Sequence, residues 1–60
     1  MSRDELLALA STLQSVGTRL FIDSNKEGGR VTRSHLIDAS RVSNLQAQAL
    51  RALAQETPDD

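Results

Sequence analysis

The sequence has no cysteine, no tryptophan and no tyrosine, and it has one phenylalanine, one histidine and one proline. Each shortage removes a class of function. Without cysteine there are no disulfides, no thiolate metal sites and no thiol catalysis. A single histidine cannot complete a structural zinc site within one chain. With Phe21 as the only aromatic residue, there is no platform on which nucleic-acid bases could stack. The formal net charge is −1, so no overall field draws in nucleic acid. Apolar runs are short, the longest being of the kind "LLALA" at 6–10, far below the roughly 20 residues of a membrane span. No basic stretch leads into an apolar one, so no signal peptide and no membrane partner are expected, and a cytoplasmic protein is the default.

Sixty residues make one domain with a small core. Chains of this size gain stability from disulfides, metals or oligomerisation, and here only the last remains. What the chain has in quantity is leucine at helical spacing. Ser2 and Glu5 fit a capping box at a helix start. Behind them Leu6, Leu9, Leu13, Val16 and Leu20 are spaced 3, 4, 3, 4, as in a coiled-coil seam. A second row lies beside it: Leu7, Ala10, Gln14, Gly17 and Phe21. The two rows together make a face too wide for one partner helix. A second segment repeats the pattern through His35, Ala39, Val42, Gln46, Ala49 and Leu53, with Leu36, Leu45 and Leu50 alongside. Thr32 or Ser34 is expected to cap its start. Ser43 and Gln46 form a further box that could interrupt it, and Thr57–Pro58 ends it.

These signals predict an all-α antiparallel two-helix hairpin that assembles as a homodimeric four-helix bundle. Helix 1 covers about 3–23, a turn 24–32, helix 2 about 33–56, and an acidic tail 57–60. Leu6, Leu9, Leu13, Val16, Leu20, Ala39, Val42, Ala49 and Leu53 are the expected core and self-association residues. Leucines of helix 1 are expected to meet the smaller Ala, Val and Gln row of helix 2.

The stretch "FIDSNKEGGRVTRSHL", 21–36, admits several readings. Asp23, Asn25 and Glu27 ahead of Gly28 imitate a calcium loop. Counting from Asp23, however, puts Arg30 and Ser34 where the hydrophobic residue and the bidentate glutamate belong. "TRLFI" and "GRVTR" could instead pair as a β-hairpin. "MSRDELLALA" and "GTRLF…GGRV" resemble small phage head-to-tail joining proteins, and that resemblance implies a helix–β-hairpin–helix fold and a structural role. Lys26, Arg30, Arg33 and Arg41 could touch phosphates. The reading adopted is a plain turn, with Gly28 or Gly29 supplying a positive φ.

Ser34, His35 and Asp38 have the residue types of a hydrolase triad. Adjacent positions on a helix diverge by about 100°, so Ser34 and His35 do not face each other. No enzyme, cofactor or metal is expected. The expectation is a small regulator, adaptor or inhibitor that binds itself and another protein, with Leu7, Phe21, Ile22 and Ile37 as partner-binding candidates. A nucleic-acid regulator using the basic tip is the alternative. By analogy, small cysteine-free helical proteins of this kind recur in phage, plasmid and bacterial regulatory systems.

Overall fold

A computed structural model describes residues 1–58. It consists of two helices, α1 Arg3–Lys26 and α2 Arg30–Glu56, packed side by side and joined by residues 27–29. Among the described residues there is no strand. The β-hairpin alternative therefore does not hold, nor does the fold implied by the resemblance to phage joining proteins: residues 18–33 are helical except for 27–29. The hairpin is a rod of 47 × 12 × 12 Å. Of the tail expected at 57–60, Asp59 and Asp60 lie outside the described residues.

The start of α1 follows from its sequence. The Glu5 N–H donates to Ser2 Oγ at 3.2 Å, and the Ser2 N–H donates back to Glu5 Oε1 at 3.2 Å. Two of the donors that a helix start leaves unpaired are thereby satisfied. The start of α2 departs from expectation. Its N-cap is Gly29, with no side-chain cap, and Thr32 and Ser34 lie inside the helix. The carboxylate of Glu27 does the work instead, accepting the Gly29 N–H at 3.0 Å. A negative group so placed favours the positive end of α2, which lets the helix begin three residues earlier than expected. The turn needs no left-handed residue, because neither Gly28 nor Gly29 has positive φ. Ser43 and Gln46 do not interrupt α2, which is continuous to Glu56. There the Thr57 N–H donates to the Ala54 carbonyl at 3.2 Å, and Thr57 Oγ1 donates to the Leu53 carbonyl at 2.9 Å.

The seam between the helices is built from small residues. On α1, Leu6, Ala10, Gly17 and Ser24 are buried, with Leu13 and Leu20 half-buried between them. On α2, Ser40, Ala47 and Ala54 are buried, and Leu36, Ser43 and Leu50 are half-buried. A small residue thus recurs every seventh position on both helices, which lets the two backbones approach closely. Gly17 marks the closest approach. The Ser40 hydroxyl donates to the Gly17 carbonyl at 2.7 Å. A Cβ on Gly17 would lie 3.2 Å from the Ser40 carbonyl oxygen and 2.5 Å from Asn44 Oδ1.

The intrachain seam of α2 therefore lies one residue beyond the expected row. It runs through Leu36, Ser40, Ser43, Ala47, Leu50 and Ala54, not through His35, Ala39, Val42, Gln46, Ala49 and Leu53. Small residues meet small residues, and the leucines flank them. The reason is steric: close-packed helices select the row with least volume at the contact, whichever row scores as more apolar.

Candidate interaction face

The hairpin by itself covers little apolar surface. Its buried apolar side chains are Leu6, Ala10, Ala47 and Ala54, whereas Leu9, Val16, Val42 and Leu53 remain 42–53% exposed. Helical geometry gathers these exposed residues onto one side. Successive residues on a helix are rotated by about 100°. On α1, Leu9 and Val16 sit one position before the buried Ala10 and Gly17. On α2, Ala39, Gln46 and Leu53 sit one position before the buried Ser40, Ala47 and Ala54. In an antiparallel pair, equivalent flanks of the two seams fall on the same side of the rod. The opposite flank confirms the geometry. Gln14 follows Ala10 by four residues and Arg51 follows Ala47 by four, and the Arg51 guanidinium donates to Gln14 Oε1.

The two broad faces consequently differ in chemistry. One carries the Gln14–Arg51 bond, and a shallow groove there is lined by Gln14, Thr18, Asn44, Gln48 and Arg51. The other carries Leu9, Thr12 and Val16 from α1 and Ala39, Val42, Gln46, Ala49 and Leu53 from α2. Its middle has no charge. Leu13 and Leu20 are shared between this face and the seam, and Leu6 is wholly within the seam. The residues expected to mediate self-association thus divide in two. Leu6 belongs to the hairpin interior. Leu9, Val16, Ala39, Val42, Ala49 and Leu53 are exposed on one continuous strip. Thr12, which sequence reading passed over, lies among them.

The other candidates are scattered. Leu7, Phe21 and Ile22 are exposed, but Ile37 is half-buried. Leu7 lies 14 residues from Phe21, about 21 Å along α1, so the four do not form one patch. Val31 and Leu45, 68% and 63% exposed, are more open than any of these. Leu45 faces away from the seam it was expected to flank, because it is displaced by about half a turn from Ser43 and Ala47.

At the tip, Lys26 closes α1, while Arg30 and Arg33 occupy the first turn of α2; all are exposed. Arg41 is 11 residues from Arg30, about 16 Å further along α2, and its guanidinium is 3.9 Å from Asp38. Asp23 is helical and pairs with Arg19 at 3.6 Å, and Glu27 is turned to the Gly29 N–H, so the acidic residues of the would-be calcium loop serve the helices instead. Ser34, His35 and Asp38 are all exposed on α2. No helix among the described residues is long and apolar enough to cross a membrane. Compared with known proteins, the chain matches no family model, no curated protein and no solved structure.

Proposed function

We propose that this chain is a non-enzymatic binding protein, a small regulator, adaptor or inhibitor that acts by protein–protein contact, and that it self-associates as a homodimeric four-helix bundle through its uncharged apolar face. The observation that carries this reading is the strip of Leu9, Val16, Val42 and Leu53, left exposed along a hairpin whose fully buried apolar side chains are Leu6 and three alanines. A two-helix rod with so small a core gains most by covering that strip. Charge replacement there is the test. In Val42→Lys/Leu53→Lys, sedimentation should show loss of self-association while circular dichroism shows the helices retained; capture of a protein partner should instead fail in Phe21→Lys. Unchanged self-association in the double variant would refute the reading.

A second reading has one observation in its favour. Arg30 and Arg33 sit at the positive end of α2, with no acidic residue in its first turn, where a cation is disfavoured by about 0.3–1 kcal/mol. Among the described residues their side chains make no ion pair or hydrogen bond. Nucleic-acid binding through this tip would weaken steeply with salt and be lost in Arg30→Ala/Arg33→Ala, whereas binding through the apolar face would survive both.

A further inference from the structure

Charge is separated along the rod. The tip half, residues 17–41, carries Arg19, Lys26, Arg30, Arg33 and Arg41 against Asp23, Glu27 and Asp38, net +2. Among the described residues, the terminal segments 1–16 and 42–58 carry Arg3 and Arg51 against Asp4, Glu5 and Glu56, net −1. Between the ends runs the uncharged face. From Ala39 to Leu53 it spans 14 residues, about 21 Å, and it is about two helix diameters wide, so its outline is on the order of 400 Å². That is about half of the roughly 800 Å² per partner of a standard interface, so the charge at the two ends is what distinguishes one occupant from another.

The row exposed on α2 has the same spacing in both directions, as any heptad row of this length does. His35, Ala39, Val42, Gln46, Ala49 and Leu53 are spaced 4, 3, 4, 3, 4 about position 44. Reversed onto itself, the row pairs His35 with Leu53, small Ala39 with small Ala49, and Val42 with Gln46. The row on α1 is centred on Leu13. Because Gly17 packs against Ser40 and Asn44, the two centres lie at nearly the same height on the rod.

From these features we infer that the occupant of the face is a second copy of this chain, laid antiparallel, so that each basic tip lies beside the other copy's acidic terminal end. This rests on the self-association proposed above and adds its orientation. A two-fold axis crosses the rod at mid-length, α2 lies along α2 of the other copy, and α1 lies along α1. The opposite arrangement, with both tips at one end, would put net positive charge beside positive and negative beside negative. In the antiparallel arrangement the two Gln46 amides fall within one helical turn of the axis. They are the only amide side chains in the middle of the strip, each opposite Val42 of the other copy, and a slide by one heptad would set each opposite Ala49 or His35.

The test uses Gly28→Cys carrying a nitroxide label. The chain has no other thiol, and a Cβ at Gly28 meets nothing within 4 Å. Pulsed dipolar spectroscopy on the full chain should give one label separation near the 47 Å rod length, in a sample that sediments as a dimer. A dimer with a separation of about 20 Å, two helix widths, would overturn the orientation while leaving self-association intact. A chain that sediments as a monomer, with no dipolar signal, would overturn both.

Discussion

Gly17 and Gly28 are one residue type held for opposite reasons. At Gly17 there is no room: the Ser40 carbonyl stands 3.2 Å from where a Cβ would be. At Gly28 there is open space and no positive φ, so glycine only adds freedom to the unfolded chain. Gly28→Ala should stabilise the protein by about 0.4–1 kcal/mol. Gly17→Val should destabilise it by roughly 1–3 kcal/mol, because the volume forced into the seam outweighs the gain in helix propensity. Urea denaturation with an unchanged slope measures both, and a higher midpoint for Gly17→Val would show that close backbone approach is not what holds the helices together.

Of the helices, α1 was the more legible. Its capping box is a local signal that acts as written, and its leucine row does so in part: Leu6, Leu13 and Leu20 reach the seam, whereas Leu9 and Val16 stay exposed. The box also makes the start of α1 pH-sensitive. The hydrogen bond from the Ser2 backbone N–H, aided by the Ser2 hydroxyl, holds the Glu5 carboxyl below the ordinary glutamate range. A carboxyl whose pKa is lower folded than unfolded contributes stability that is present above the unfolded value and lost as pH falls through the folded one. Thermal melts of the parent chain and Glu5→Ala should therefore differ at neutral pH and converge below the ordinary glutamate pKa of about 4.3. A gap that persists in acid would assign the effect to something other than the carboxylate. For α2 the sequence misled in two ways. Its start is set by Glu27, a residue outside the helix, which propensity does not register. Its seam was misplaced by one position because apolarity ranks Val42 and Leu53 above Ser40 and Ser43, whereas the neighbouring helix selects for small volume. The row that scored best is the row left facing outward. Much of the candidate face was thus named from sequence, although its relation to the hairpin became visible only once Ser40 was found against Gly17. Leu7, Phe21 and Ile37 fall on the same flank of the seam as Gln14 and Arg51, which only the position of the buried row reveals; Leu7 is set apart from Phe21 by distance along α1.

At the scale of the molecule, the rod exposes its largest apolar side chains and buries its smallest. If that exposed surface is covered by another copy, stability belongs to the assembly, and the midpoint of thermal unfolding should rise with protein concentration. A midpoint independent of concentration would make the hairpin self-sufficient. The interior has one more consequence. The bulkiest side chain wholly out of water within the hairpin is Ser24, whose hydroxyl donates to the Phe21 carbonyl at 2.6 Å. Large folds are most easily damaged by hollowing them out, but this seam has almost nothing to remove. Its tolerance to sequence drift is therefore one-sided: along the line of Ala10, Ser24, Ser40, Ala47 and Ala54, evolution can exchange one small residue for another, whereas added volume is what it must avoid, at Gly17 even that of a single methyl group.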